Sequence, residues 1–262
     1  MLILIVFVLK GEVIMKSTVK ESKYVVKGAA PWYNNSNDAK YRWPDRDKVT
    51  DVDVSVSGQA TVICKEVTDM SLMFFDCPRI TKLDVSNLNT SKVTNMNDMF
   101  NNCPKLTELN LSGFDTSKVT SMRTMFNYCP GLTKLDVSGF NTSKVTNMYS
   151  MFNRCSRLTK LDLSSFNTAK VIYMNFMFDN CSKLTELDLS GFVTSKVTNM
   201  SYMFDNCSNL TTIKGVLDMK SCEYYENMFH NCPKLRGVKI KNPPVDFESV
   251  SGLSNSQYIV VS

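Results

Sequence analysis

An internal repeat of 26 residues constrains the fold of this chain more than any other feature of its sequence. Five consecutive units align without gaps; the first, from Leu83, reads LDVSNLNTSKVTNMNDMFNNCPKLTE, and the third, from Leu135, reads LDVSGFNTSKVTNMYSMFNRCSRLTK. A weaker unit precedes them over residues 67–82, and another, one residue shorter, follows over 213–237. Because one such unit cannot bury its apolar side chains alone, stacking on its neighbours must complete the core. The sequence therefore predicts a solenoid.

The first part of each unit has the periodicity of a β-strand. In LTELNL, residues 106–111, Leu109 and Leu111 alternate with Glu108 and Asn110. This two-residue rhythm is typical of a strand with one buried face. Equivalent strands of stacked units lie parallel at about 4.8 Å, so we expect one parallel β-sheet along the solenoid.

The second part of each unit has a helical periodicity. In VTNMNDMFNNC, residues 93–103, apolar side chains fall at i, i+3, i+4 and i+7, which is one face of a helix. They are Met96, Met99, Phe100 and Cys103. Thr94 or Asn95 is placed to cap this helix. Each unit is thus expected to contain a short strand and about two helical turns, which gives an α/β solenoid with short helices opposite its sheet.

The repeat motif also indicates a family. The pattern CxxLTxLDLSxFxTSxVTxMxxMFxxC, which from Cys155 reads CSRLTKLDLSSFNTAKVIYMNFMFDNC, resembles that of the BspA-like leucine-rich-repeat proteins, which are bacterial and protozoan surface proteins. The resemblance covers seven units over residues 57–237. It implies a leucine-rich-repeat-like solenoid, located on the cell surface or secreted, that binds a protein ligand on a host or neighbouring cell. It implies no catalytic residues.

Aperiodic segments flank the repeats. We expect residues 1–56 and 238–262 to be amino-terminal and carboxyl-terminal caps, since a repetitive core needs both ends closed. The aromatic residues that would cover the first repeat are Trp32, Tyr33, Tyr41 and Trp43. The apolar run Leu2–Leu9 is far shorter than the roughly 20 residues that span a bilayer. We interpret it as part of a leader sequence or as a strand of the cap.

The charge distribution argues against nucleic acid as a partner. The chain has a formal net charge of +5. Residues 83–212 contain 12 Lys and Arg against 10 Asp and Glu, a difference of +2. Nucleic-acid-binding proteins concentrate basic residues on one face, and this sequence spreads them thinly.

The cysteines follow the repeat. Cys77, Cys103, Cys129, Cys155, Cys181 and Cys207 are spaced 26 residues apart, and Cys232 comes 25 residues later. Equivalent side chains in a stacked array point the same way, whereas a disulfide needs two β-carbons that face each other at about 3.8 Å. The spacing favours a ladder of buried free thiols over a set of disulfide pairs.

Catalytic and metal-binding motifs are absent from the sequence. His230 is the single histidine, so neither a histidine metal cluster nor a second histidine for acid–base chemistry is available. A Cys–His pair would need an exposed thiol, but the helical spacing buries the cysteines. We therefore expect a non-enzymatic protein without a cofactor or metal.

The sheet face supplies the first set of candidate binding residues. Charged side chains alternate with the buried leucines and align from unit to unit: Lys82, Glu108, Lys134, Lys160 and Glu186 in one row, and Asp136, Asp162 and Asp188 in the next. Like charges one strand apart repel, so the flanking lysines are expected to neutralise the aspartates. The alternative is a recessed polar strip that accepts a basic peptide or a divalent cation, although a line of carboxylates lacks the oxygen cage that calcium prefers.

Aromatic residues on the opposite part of the unit form the second set. Tyr149, Tyr173, Phe176 and Tyr202 stand where other units have Asn, Ser or Asp, and Tyr128 lies nearby. Clustered exposed aromatics are typical of a contact surface, although such positions also drift freely. A row of lysines precedes the buried valine of each unit, and it either attracts an anionic partner or is a solvated edge. It consists of Lys92, Lys118, Lys144, Lys170 and Lys196.

These observations give two hypotheses for function. The first is a non-catalytic protein-binding or adhesion module that uses the sheet face, with the aromatic residues as a second contact area. The second is an intracellular or assembly scaffold in which the solenoid is a structural subunit.

Overall fold

The computed structural model describes residues 5–9, 12–16, 23–26, 51–53, 68–86 and 88–262. Within the first segments, strands β1 (Ile5–Leu9), β2 (Glu12–Lys16) and β3 (Lys23–Val26) form an antiparallel sheet in the order β1-β2-β3. β1 lies in the apolar run noted above. The aromatic residues from Trp32 to Trp43, expected to cover the first repeat, lie outside the described residues.

From residue 51 onward the strands are parallel and follow the repeat. β4 (Asp51–Asp53), β5 (Lys82–Asp84) and β6 (Glu108–Asn110) form one sheet, and β7 (Glu186–Asp188) pairs with β8 (Thr212–Lys214). Leu83 lies opposite Leu109, which shows that equivalent positions stack. The predicted parallel leucine-rich-repeat-like solenoid is confirmed.

The carboxyl-terminal residues stack on the last repeat. β9 (Val216–Asp218), β10 (Val238–Lys241) and β11 (Tyr258–Val261) form a parallel sheet in the order β9-β10-β11. Helix α1 (Phe247–Ser251) lies between β10 and β11, and the N–H of Phe229 donates to the carbonyl of Ser251 across the stack. No helix in the described part of the chain is long and apolar enough to cross a membrane.

The predicted short helices are replaced by turns. Asp98 and Asn102 have left-handed φ angles of 57° and 61°, and a left-handed residue at every fourth position interrupts an α-helix. The N–H of Asp98 donates to the carbonyl of Arg123, 2.9 Å away in the next unit, instead of to a residue four positions earlier. Asn95, expected to cap a helix, accepts the N–H of Asn97 in a turn. Four-residue turns bury the same positions as a helix does, which explains the misleading periodicity.

The predicted single sheet is interrupted in the middle of the repeats. Among the described residues, none between 111 and 185 belongs to a strand. A β-carbon on Gly113 would lie 1.7 Å from the carbonyl oxygen of Ser86, whereas one on the equivalent Gly139 would meet no atom within 4 Å. Neighbouring units therefore lie farther apart on the sheet side in this stretch.

Like charges coincide with part of the interruption but do not account for all of it, because Asp53 lies directly opposite Asp84 in the paired strands β4 and β5. In the paired strands β5 and β6, the amide of Asn110 donates to the carboxylate of Asp84 at 3.1 Å. In the unpaired stretch, Asp136 and Asp162 stand at the same position of consecutive units, and like charges opposite each other weaken strand pairing. Pairing resumes where Asp188 faces Lys214 in β8.

The turn side of the solenoid stays closed along its length. Isolated parallel bridges join one residue of each unit to the next, from Asp69 through Asn95, Ser121, Asn147, Tyr173 and Asn199 to Tyr224. Beneath them the rings of seven phenylalanines, one per unit, stack in file with centroids 5.2–5.7 Å apart: Phe74, Phe100, Phe126, Phe152, Phe178, Phe204 and Phe229. Each of these rings is fully buried. The turn side is therefore the rigid part of the molecule on which exposed side chains are held.

Candidate functional site

The charged row on the sheet face is exposed and forms one ion pair in the described residues. Lys82 Nζ lies 2.8 Å from Glu108 Oε1, and both side chains are more than half exposed. Such a pair stabilises the fold by at most about 1 kcal/mol. Lys134, Lys160 and Glu186 are exposed in the same row. The structure thus places these predicted residues on one surface.

The aspartates of the next row accept hydrogen bonds from the turns in which they lie. Asp136 accepts hydrogen bonds from the hydroxyl and the backbone N–H of Ser138, at 2.7 and 3.0 Å. Asp162 accepts the N–H of Ser164 at 2.9 Å, and Asp188 that of Ser190 at 3.0 Å, in the same manner. This is a local turn motif in which the carboxylate substitutes for a backbone acceptor.

These turn hydrogen bonds also lower the pKa values of the aspartates and so favour their ionised form. The hydrogen bonds from Ser138 hold the pKa of Asp136 below its usual range, and those from Ser164 do the same for the pKa of Asp162, against the repulsion of Asp136 and Asp188. Among the residues that the structure describes, no lysine of the first row lies within 4 Å of these carboxylates, so the expected neutralisation by the flanking lysines does not occur through direct ion pairs. No group of three or more His, Cys, Asp or Glu side chains within the described segments is arranged to hold a metal ion.

The cysteine ladder lies inside the core. Its seven members and Cys222 are buried and form no disulfide among the described residues. The thiol of Cys155 donates to the carbonyl of Phe126 at 3.1 Å, and that of Cys181 to Phe152 at the same distance. Burial raises the pKa of Cys155 to about 12. A thiol that is both buried and protonated is a poor nucleophile.

His230 contacts a carboxylate on the preceding unit. Its Nδ1 lies 2.8 Å from Asp205 Oδ1, and its side chain is about half exposed. Asp179 stands at the equivalent position one unit earlier, where burial and the charge of Asp205 raise its pKa to about 6. The nearest cysteine, Cys232, donates its thiol to the carbonyl of Phe204. No nucleophile in the described residues is activated by His230.

Three of the predicted aromatic residues contact one another. The rings of Phe176 and Tyr202 stack with centroids 4.7 Å apart and planes 2° from parallel. The ring of Tyr149 meets Phe176 edge-on at 5.9 Å. Phe176 and Tyr202 have left-handed φ angles of 60° and 57°, a conformation that bulky residues rarely adopt. The cluster is thus held in place on a strained backbone.

An open depression of about 350 Å³ lies beside this cluster. It is lined by Arg123, Asn147, Tyr149, Tyr173, Asn175 and Asn199. The guanidinium of Arg123 sits over the ring of Tyr149, 5.3 Å from its centroid, a cation–π arrangement that fixes both groups. Tyr173 is 46% exposed and so offers much of its ring to a ligand.

The polar lining of the depression consists mainly of hydrogen-bond donors. Asn147 Oδ1 accepts the N–H of Tyr149 at 2.9 Å, and Asn199 Oδ1 accepts that of Ser201 at 3.0 Å. With one lone pair of each oxygen engaged, the two amide nitrogens are the less committed groups of these side chains and can donate to a ligand. Arg123 and the three asparagines are not predicted by the repeat pattern; the available signal is Arg123, the one cation at a position that holds Asn, Tyr or Ser in the neighbouring units.

Tyr128 lies apart from this depression. Its ring is 41% exposed and sits beneath the guanidinium of Arg154, 5.9 Å from the ring centroid. Neither residue lines the depression. Tyr128 is therefore suited to serve as a control in experiments on the aromatic site.

Comparison with known proteins places the repeats in a family. No curated protein sequence matches the chain at a significant level. A crystallised leucine-rich repeat protein from Bacteroides ovatus ATCC 8483 is 12% identical over an alignment that covers 98% of this chain and 100% of that one, with a TM-score of 0.25. The sequence profile of one family matches residues 54–135 and 131–242, which together are more than half of the chain. The chain belongs to the family described as "Mycoplasma protein of unknown function, DUF285".

Proposed function

We propose that the chain is a non-catalytic protein-binding module whose main contact surface is the depression beside the stacked aromatic residues. The observation that carries this proposal is a surface set on adjacent units in which Arg123 and Tyr173 are exposed and Tyr149, Phe176 and Tyr202 are half-buried. Tyrosine and arginine contribute much of the binding energy at protein interfaces. The parallel solenoid itself favours this role, since repeat proteins present extended binding surfaces.

The rigidity of the aromatic set supports the proposal. Three of its rings are fixed by a neighbour: Phe176 and Tyr202 by each other, and Tyr149 by Arg123. A side chain that is already ordered loses little conformational entropy when a partner binds. Phe176 and Tyr202 also occupy left-handed backbone positions, where an aromatic residue costs stability relative to the asparagine at the equivalent Asn227.

The sheet face is a second candidate contact area for the same function. Its row of Lys134, Lys160 and Glu186 is exposed. The carboxylates of Asp136 and Asp162 are engaged by their own turns, which leaves them with less capacity to bind a partner. We therefore rank the sheet face below the aromatic depression.

Selection from a random-peptide display library on the full chain tests the proposal. Selected peptides should bind the double variant Tyr149→Ala/Tyr173→Ala at least about tenfold more weakly than the wild type, which corresponds to about 1.4 kcal/mol. The variant Tyr128→Ala is the matched control, because it also removes an exposed tyrosine. Selected peptides should bind it as they bind the wild type.

Two outcomes would contradict this assignment. If the selection enriches no peptide, the chain is not a peptide-binding module of this kind. If the selected peptides lose binding to Lys134→Glu/Lys160→Glu and keep it with the tyrosine double variant, the contact surface is the sheet face.

We further propose that the protein is exposed on the cell surface or secreted, where it would bind a protein of a host or neighbouring cell. The support is the resemblance of its repeats to those of the BspA-like surface proteins. Protease treatment of intact cells tests this location: an exposed protein is digested while a cytoplasmic marker survives. Survival of both would favour the alternative role of an internal scaffold.

A further inference from the structure

The surface around the aromatic depression is predominantly positive, although the unit that stacks on Tyr202 adds the exposed Glu223 and Glu226 at one end. Four stretches of the turn side contribute to it, namely residues 117–126, 143–152, 169–178 and 195–204. Together they contain five cations and no aspartate or glutamate: Lys118, Arg123, Lys144, Lys170 and Lys196. We call these five residues the cationic face. A surface on which one charge predominates attracts partners of the opposite charge and raises their association rate.

Three lysines of the cationic face have no acidic partner. Among the residues that the structure describes, no carboxylate lies within 4 Å of the ammonium group of Lys144, Lys170 or Lys196. All three side chains are exposed. Their charges are therefore available to a ligand, because no carboxylate of the described residues pairs with them.

The lysines lie beside the depression. Lys144, Lys170 and Lys196 precede Asn147, Tyr173 and Asn199 by three residues each. Three residues of extended chain span at most about 10 Å, and a lysine side chain is long and flexible. A ligand in the depression is thus within reach of the ammonium groups.

The depression itself requires a ligand with two properties. No acidic residue lines it, and its polar groups are the Arg123 guanidinium, asparagine amides and tyrosine hydroxyls. Such donors bind best to ionised acceptors, above all carboxylates. The half-buried ring of Tyr149 and the exposed ring of Tyr173 form an apolar wall for a large side chain. The ligand must bring both negative charge and apolar bulk.

We propose that the depression and the cationic face bind an acidic segment of a partner protein, with its carboxylates on the lysines and Arg123 and an apolar side chain against Tyr149 and Tyr173. This inference rests on the proposed protein-binding function and names the chemistry of the partner. Stacked units are about 4.8 Å apart, so Lys144 to Lys196 covers about 10 Å. About three residues of extended peptide span the same length, so acidic residues at alternate or adjacent positions reach all three lysines.

The random copolymer of glutamate and tyrosine is a defined probe for this chemistry. We expect it to bind the full chain in biolayer interferometry, and we expect poly(Lys,Tyr) not to bind. The triple variant Lys144→Glu/Lys170→Glu/Lys196→Glu should bind poly(Glu,Tyr) at least about tenfold more weakly. The triple variant Lys105→Glu/Arg157→Glu/Lys183→Glu is the matched control, because it makes the same change of charge at exposed residues elsewhere. It should bind within about twofold of wild type.

The outcomes separate this inference from the function on which it rests. Equal losses in both triple variants would show that only net charge matters, and tighter binding of heparin than of poly(Glu,Tyr) would show a general polyanion surface; either result overturns the inference. If display-selected peptides depend on Tyr149 and Tyr173 but are neutral or basic, the protein-binding function stands and the acidic partner does not. Circular dichroism confirms that each triple variant is folded.

Discussion

The hydroxyl of Thr142 bridges its unit to Asn167 in the next one with two hydrogen bonds. It donates to the carbonyl oxygen of Asn167 at 3.0 Å and accepts the N–H of the same residue at 2.8 Å. Thr142 is fully buried. The same pair of bonds recurs along the solenoid at Thr90, Thr116, Thr168 and Thr194. A side-chain hydroxyl thus takes the place of a backbone partner between neighbouring units.

Replacing Thr142 with valine should destabilise the protein by about 1 to 3 kcal/mol. Valine has nearly the same shape but removes both hydrogen bonds to Asn167, and each is worth about 0.5 to 1.5 kcal/mol. Urea denaturation followed by circular dichroism measures the loss.

Thr142→Ser is the control for that experiment. Serine keeps the hydroxyl and removes one methyl group, which costs on the order of 1 kcal/mol. An equal loss for the serine and valine variants would mean that packing, and not the double hydrogen bond, makes the threonine important.

The sequence predicted the solenoid and its core because both follow from the 26-residue period. Met99, Phe100 and Cys103 were identified as buried, and they are. Their backbone was predicted wrongly, because turns with left-handed residues at Asp98 and Asn102 bury the same positions as a helix. Hydrophobic periodicity reports which side chains face the core and does not distinguish these two backbones.

The candidate site was predictable in part for a related reason. Tyr149, Tyr173, Phe176 and Tyr202 were identified as departures from the repeat, and the structure brings them to one area. The depression forms between adjacent units, so its shape depends on how they stack. The spacing of residues within one unit does not determine that stacking. Arg123 is therefore identified as a site residue by its contact with Tyr149 in the structure.

Asp179 should make stability fall as pH rises from about 4 to about 6. Its folded pKa of about 6 exceeds the value near 3.9 of an unfolded aspartate. Between those values the folded state binds more protons than the unfolded state, so raising the pH costs stability. Burial is the main cause, with repulsion from Asp205 adding to it and the attraction of Arg154 opposing it.

Asp179→Asn should therefore stabilise the protein by about 1 to 3 kcal/mol at pH 7.5, and much less at pH 4. The buried Oδ1 of Asn153 has no hydrogen-bond partner in the described structure. The new amide can donate to it, as Asn127 does to Asn101 at 2.9 Å. Denaturation at the two pH values checks the difference; a gain that is equal at both would show that the proton of Asp179 is not responsible. The contact between His230 and Asp205 is the same in the wild type and the variant, so it does not contribute to the difference between them.

The thiol ladder should resist alkylation in the folded protein. Burial raises the pKa of Cys155 and of Cys232 to about 12, so at pH 8 about one in ten thousand of these two thiols is ionised. Hydrogen bonds with Cys129 and Cys77 lower the pKa of Cys103, and this thiol is protected by its burial alone. In a Cys64→Ser background, which removes the one cysteine outside the described residues, fewer than about one thiol per chain should react with a thiol reagent within an hour.

In guanidinium chloride all eight remaining cysteines should react. A shortfall under these denaturing, non-reducing conditions would indicate disulfide pairs instead of free thiols. Rapid labelling of the folded protein would instead show that the ladder opens locally.

Replacing Asp162 with asparagine should strengthen the interrupted part of the sheet. Asp162 stands between Asp136 and Asp188 in the same row, and both neighbours oppose its ionisation. An asparagine keeps an oxygen to accept the N–H of Ser164, removes the repulsion, and supplies an amide donor like that of Asn110, which bonds to Asp84 at 3.1 Å. We expect the melting temperature to rise by about 1 to 2 °C and the slowed exchange of amide protons to extend into residues 133–137 and 159–163. Because salt screens repulsion between exposed charges, added NaCl should stabilise the wild type more than the variant. Asp162→Ala relieves the same repulsion but loses the turn hydrogen bond and offers no amide, so an equal rise in melting temperature for the alanine variant would mean that charge alone, without the amide, keeps these strands apart.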